Sequence, residues 1–358
     1  MASPLAHSDD NRPKKRQRTE QDAASAQPTI KKSDVVWMSD GNLIIRTVEV
    51  RQDSPTVLHT LYRVHKSVLA LNCGAFAAMF DGDQAAFEAA SERFEGVPVM
   101  ELPDPAEDVK AFLDAMYHPK QLRNYGSAIV LISWLWEPFP ESYCGVLRLA
   151  NKYNAQDMHE QVAAALETRW PKKLSAWDEA EMELLPGEYQ QPGKYIRLAT
   201  AGGTPGLLPA MFYALARDTD NFVTVISSQA NKLSERKLYE ADLALLTAGE
   251  LHRLIIGKTD LREFVAQQVR AYDKGVDMAC GCEREKCRRA GNSWWKANLV
   301  HLEPGYLESL ARCKDRVDKI DGKTPLCDRR MEYLENQIER IRQATWDALP
   351  KLFGIAEN

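Results

Sequence analysis

Between Ser33 and Phe80 the spacing of apolar residues changes once, and that change limits the folds open to the chain. Val35-Val36-Trp37 and Leu43-Ile44-Ile45 are short β-branched and apolar runs, separated by the turn cluster Ser39-Asp40-Gly41-Asn42. Two such runs across a turn predict a β-hairpin, and Leu61-Tyr62-Arg63-Val64 predicts a third strand. From Lys66 onward the period becomes helical, with Val68, Leu69, Phe76, Met79 and Phe80 suiting helix faces. A small sheet followed by helices places the chain in the α+β class.

The pattern continues downstream. Val97–Leu102 reads as a short strand, and Asp104-Pro105-Ala106-Glu107-Asp108-Val109 as a helix start. Asp104 suits the cap, Pro105 the first turn, and Glu107 and Asp108 the positive end of the helix dipole. Val109, Phe112, Leu113 and Met116-Tyr117 form the apolar face of that helix, and Tyr143–Tyr153 predicts another helix. The order Asp34-Val35, hairpin, His65-Lys66, Val68-Leu69, Phe76-Ala77-Ala78-Met79-Phe80, then Leu147-x-x-Ala150-x-x-Tyr153 resembles a BTB/POZ domain over about residues 33–170. That resemblance implies a small sheet flanked by helices, with Phe76, Met79, Phe80, Leu113 and Tyr117 largely buried. It also implies an interaction module that performs no chemistry. Asp34 and Lys66 match positions that line a charged pocket near the family's dimer groove, or else a buried pair that orients the hairpin. Nothing before Ser33 reads as an amphipathic helix, so a dimer formed by exchanging N-terminal elements is not expected. A homodimer through another face stays open. Three insertions, Val48–Thr60, Asp81–Glu95 and Lys120–Glu141, make the chain similar to the BTB proteins expanded in mushroom-forming fungi. The last insertion holds the apolar run Ile129–Trp136, which suits packing between domains or a partner surface.

With 358 residues the chain has room for two domains, and at 44% hydrophobic and 27% charged it can bury a core. The division expected is a basic tail over 1–32, the BTB-like region over 33–170 and a mainly helical domain over 171–358. A net charge of −5 supplies no overall basic field, so nucleic acid is not expected as a partner. No apolar run approaches the roughly 20 residues that span a bilayer, and no secretory h-region opens the chain. Seven cysteines, an odd number, fit a reducing compartment. The tail is polar, carries Pro4, Pro13 and Pro28, and shows no periodicity, so it reads as disordered. Within it Lys14, Lys15, Arg16 and Arg18 form a compact cationic run beside Pro13, of the kind that nuclear import receptors read. The expected location is the nucleus, with the cytoplasm as the alternative if the run is only a solvated charge cluster.

The second half reads helical. Met211–Ala216 is an apolar helix segment; Leu238, Leu243, Leu245 and Leu246 mark another; Thr247-Ala248-Gly249-Glu250 is a capping box. The helix after the box carries Leu251, Leu254 and Ile255 as its apolar residues. Met331, Leu334, Ile338 and Ile341 recur at steps of three and four along one helix face. Pro186–Gly206, rich in Pro and Gly, reads as a loop and hinge. No internal repeat occurs, which excludes kelch blades and tandem zinc fingers.

One constellation carries chemistry. Cys280, Cys282 and Cys287 lie within eight residues, and Cys313, Cys327 and His301 follow. Zinc takes four soft or borderline ligands in a tetrahedron, so Cys280, Cys282 and Cys287 with a fourth from Cys313, Cys327 or His301 form a candidate structural metal site. The alternative is a set of reduced, partly buried thiols with no cofactor. Arg284, Lys286, Arg288 and Arg289 next to Trp294-Trp295 fit a solvated basic turn beside core aromatics better than a base-stacking surface. The motifs of phosphate loops, serine hydrolases and zinc proteases are absent, and Thr200–Gly206 is glycine-rich without the phosphate-loop lysine. A non-enzymatic protein is therefore expected, binding other proteins in a nuclear regulatory complex. The alternative is a substrate adaptor of a cullin-type ubiquitin ligase. Such adaptors carry an apolar residue two before a Glu after the Met-Phe segment; here Phe87-Glu88 and Phe94-Glu95 depart from that spacing.

Overall fold

The computed structural model describes residues 29–50, 57–82, 91–119, 141–183, 191–225, 242–273, 285–299, 302, 306–318 and 326–355. The fold is α+β: a curled five-stranded sheet and a larger set of helices. The chain divides into two compact units, one of Met1–Ser67 and Asp83–Ala106, the other of Val68–Gly82 and Glu107–Asn358.

The first unit holds the sheet. Its strands are β1 (Thr29–Trp37), β2 (Leu43–Val50), β3 (Val57–Val64), β4 (Arg93–Phe94) and β5 (Val97–Glu101), in the order β1-β3-β2-β5-β4. β2 and β3 are antiparallel from Leu43↔Val64 to Val50↔Val57. β1 runs parallel to β3, and β5 parallel to β2. The hairpin expected between Val35–Trp37 and Leu43–Ile45 does not form; β3 lies between them. The turn that joins β1 to β2 is built on β3 itself, since the Met38 N–H donates to the Arg63 carbonyl and the Asn42 N–H to the Val64 carbonyl. Gly41 is required there, because a Cβ would lie 2.9 Å from both Arg63 Cγ and the Val64 oxygen. β1 also takes in Thr29–Lys32, residues expected in the tail. The Lys32 ammonium pairs with Glu95 and sits 4.8 Å over the Trp37 ring. Between Lys32 and Trp37 the register shifts, and the buried Ser33 hydroxyl accepts the N–H groups of Val35 and Val36 that the ladder loses.

Ile44, Leu61 and Val99 form one buried cluster of this unit, with Trp37, Phe94 and Val97 packed against it. Successive strand residues face opposite sides, yet Leu43, Ile44 and Ile45 are all buried, so both faces of β2 are covered at that end.

The second unit is helical. Its first helix, α1 (Lys66–Asn72), starts in the first unit; α2 (Gly74–Phe80), α3 (Ala106–Tyr117), α4 (Glu141–Tyr153) and α5 (Gln156–Arg169) follow. Then come α6 (Leu174–Glu183), α7 (Pro192–Ala201), α8 (Leu208–Val225), α9 (Ala248–Asp273), α10 (Glu285–Leu299), α11 (Tyr306–Asp318) and α12 (Asp328–Leu352). Met211–Ala216 of α8 is buried on every side, which makes it a central helix. Leu334, Ile338 and Ile341 of α12 are buried as their spacing predicts.

Three expectations need correction in this unit. Pro186–Gly206 is not one loop, because α7 occupies Pro192–Ala201. Its Pro and Gly residues punctuate a helix: Pro192 opens it and Gly203, at φ +66°, follows its C-cap Gly202. On α9 the exposed Ile255 is not on the apolar face; the buried stripe runs through Leu254, Leu261, Val265 and Val269. Met79 is exposed and Tyr117 half-buried, whereas Phe76, Phe80 and Leu113 are buried as expected.

Pairings distant in sequence hold these helices. Asp108 on α3 accepts a two-pronged bond from Arg148 on α4 (2.9 and 2.7 Å). The close approach depends on Gly145, where a Cβ would lie 2.8 Å from Asp108 Oδ1. Buried Asp242 caps α7 from a distance by accepting the N–H groups of Gly193 and Lys194. Glu308 on α11 accepts bonds from Trp177 Nε1, the Tyr213 hydroxyl and Arg217. Burial, joined by the neighbouring Glu308 carboxylate, pushes the Tyr213 hydroxyl well above its ordinary pKa of 10.0. The buried Arg342 donates to the Leu307 carbonyl, Asp178 and Glu339.

Candidate functional site

The helices α1 and α2 present the first candidate surface. On α2, Phe76 stacks on Tyr153 of α4 (centroids 4.9 Å apart) and lies 6.1 Å from Phe80. These rings hold the pair in place, and the Gly74 N–H donates to the Asn154 carbonyl at the start of α2. The opposite side chains face solvent: Leu71 is 86% exposed and Met79 52%. A leucine and a methionine left in water beside a well-packed aromatic face offer apolar area to a partner. The sequence pattern placed Met79 inward because it shares a three-residue step with Phe76; the helix is only seven residues long and buries a single narrow edge.

Of the charged-pocket candidates, Asp34 is exposed on β1 and Lys66 is half-buried at the start of α1, its N–H donating to Asn42 Oδ1. The neighbouring His65 lies with its Nε2 3.2 Å from Asp40 Oδ1.

The cysteines fall into different environments. Cys280, Cys282 and His301 lie outside the described residues, as do Lys14, Lys15, Arg16 and Arg18 of the basic run. Cys287 is buried in the first turn of α10, and its Sγ is 3.7 Å from Sγ of Cys327, the half-buried residue that precedes α12. Cys313 is elsewhere. Its thiol contacts the Asn298 carbonyl at 3.5 Å, eleven residues along α10 from Cys287. At 1.5 Å of rise per residue that is about 16 Å. Burial raises the Cys313 thiol, only partly offset by Arg316 and Arg312, so it keeps its proton. Burial pushes Cys73 up to about 12, as suits an inert core thiol. Among the described residues no three metal-ligating side chains converge.

The expected basic turn is helical: Lys286, Arg288 and Arg289 lie exposed on α10. Of the tryptophan pair, Trp295 is buried and donates to the Val269 carbonyl, whereas Trp294 is half-buried. Among the described residues no helix is long and apolar enough to cross a membrane. Comparison of the chain with family models, curated proteins and solved structures returned no match.

Proposed function

We propose that this protein is a non-enzymatic interaction module that recruits other proteins to a nuclear regulatory complex through a BTB-like region. The observation that carries this reading is the α1–α2 pair, anchored by Phe76 and Phe80 while Leu71 and Met79 stand in solvent. Apolar side chains fixed on a rigid surface lose little entropy on docking, so they can serve as anchors for a partner. The order of strands and helices between Ser33 and Tyr153 supports the same reading, since it follows the motif order of that family.

The test is affinity capture from nuclear extract with the full chain and with the double variant L71D/M79D. Both positions are exposed, so the variant keeps its thermal unfolding midpoint. Loss of a reproducible set of captured proteins is expected; an unchanged set removes this surface from the proposal. In the adaptor alternative, the same variant should abolish co-elution with a purified cullin N-terminal domain. Sedimentation of the wild-type chain reads the homodimer separately.

A further inference from the structure

We propose that Cys287 and Cys327 are an oxidation site: hydrogen peroxide converts the two thiols to a reversible disulfide that ties α10 to α12. The site is independent of the partner-binding reading. Both cysteines are reduced, and their sulfurs meet at 3.7 Å although the residues are 40 apart in sequence. A disulfide holds its sulfurs at about 2.05 Å, so closure needs an approach of about 1.7 Å, which small turns about the two Cα–Cβ bonds supply.

Helix packing keeps the pair together. Cys287 lies in the first turn of α10, and Cys327 is the N-cap residue of α12. One turn along α10, on the same face, a Cβ at Gly291 would lie 3.2 Å from Cδ of the buried Arg330. The two thiols differ in access, and that difference assigns their roles. Cys287 is 1% exposed, whereas Cys327 is half-buried and within reach of a small oxidant. The Cys327 thiolate attacks peroxide. An S–O bond forms, the O–O bond breaks, and the departing hydroxide takes up the thiol proton as water, leaving a sulfenic acid. The Cys287 sulfur then attacks the Cys327 sulfur. The S–S bond forms, the S–O bond breaks, and the Cys287 proton leaves with the hydroxide as a second water. The sulfur pair loses two electrons and the peroxide gains them. Cys313 stays out of this chemistry, because its thiol contacts a carbonyl about 16 Å along α10 from Cys287.

Peroxide oxidation of the full-length, reduced chain tests the proposal. One equivalent of hydrogen peroxide should remove two hydrogens per chain, as read by intact mass after the remaining thiols are alkylated. Non-reducing peptide mapping should link Cys287 to Cys327, and dithiothreitol should restore both thiols. In Cys287→Ala the attacking thiol has no partner, so dimedone should trap a sulfenic acid at Cys327. In Cys327→Ser the buried Cys287 should stay reduced. Serine is a favoured N-cap, so this variant keeps the start of α12, and circular dichroism checks both variants. The wild-type peptide map decides the proposal even where a variant fails to fold. Three results would each overturn it: both thiols still open to alkylation after peroxide, a disulfide that joins either residue to a different cysteine, or a dimedone adduct at Cys287 in Cys327→Ser.

Discussion

Phe76 and Glu250 show how single side chains carry the helical unit. Phe76 is 1% exposed and lies between the Tyr153 and Phe80 rings, so truncation leaves a cavity that two rings cannot fill by rotating. Phe76→Ala should cost ~3–5 kcal/mol in chemical denaturation. Glu250 closes the capping box of α9: its carboxylate accepts the Thr247 N–H and hydroxyl, and the Glu250 N–H donates back to Thr247 Oγ1. Arg197 reaches the same carboxylate at 3.2 Å. Burial alone would raise the Glu250 carboxyl above its ordinary 4.5, but the Thr247 hydrogen bonds and Arg197 outweigh it and hold the group below that value. A carboxyl depressed in the folded state contributes stability that is present above the unfolded value and lost as pH falls through the folded one. Wild type should therefore exceed Glu250→Gln in stability at pH 7, and the gap should close as pH drops below about 4.5. A gap that stays constant down to pH 3 would show that the charge of Glu250 contributes nothing.

The helices report their packing through glycine. In α9 a Cβ at Gly257 would lie 2.1 Å from Cδ1 of Phe353, whose ring also stacks on Phe212 of α8. At Gly249, in the exposed first turn of the same helix, nothing lies within 4 Å. Alanine gains up to about 1 kcal/mol over glycine in a helix, whereas overpacking a core costs about 1–3 kcal/mol. Gly249→Ala should thus be neutral or stabilising, and Gly257→Ala destabilising, in parallel thermal melts. The exposed Ile255 and Ile256 come from the same geometry, because the stripe through Leu254, Gly257 and Leu261 is the edge that packs. Spacing alone admits Leu254 or Ile255 to the apolar face; the position of Phe353 decides between them.

At the scale of the whole molecule, the sheet and most of the helices belong to separate compact units, and the chain passes between them more than once. The basic run at 14–18 sits in sequence ahead of the first strand, and the expectation for it is cellular. Replacing Lys14, Lys15 and Arg16 with Ala should move a fluorescently tagged full chain from nucleus to cytoplasm, as read by microscopy. An unchanged distribution would leave those residues as a solvated charge run.

Local pattern determined the kind of element nearly everywhere that a period was strong. β2 and β3, the capping box at Thr247 and the buried faces of α8 and α12 are all legible from residues within a few positions of one another. Their physical cause is local too: side chains alternate on a strand, recur every 3.6 residues on a helix, and cap the nearest free N–H. Tertiary structure alone decided that β3, not β2, lies beside β1. It also decided that Asp108 meets Arg148, that Asp242 caps a helix 49 residues away, and that Cys327 rather than Cys313 stands by Cys287. Those pairings join residues far apart in sequence. Each is set by which helices and strands pack together, and neither spacing nor composition encodes that choice.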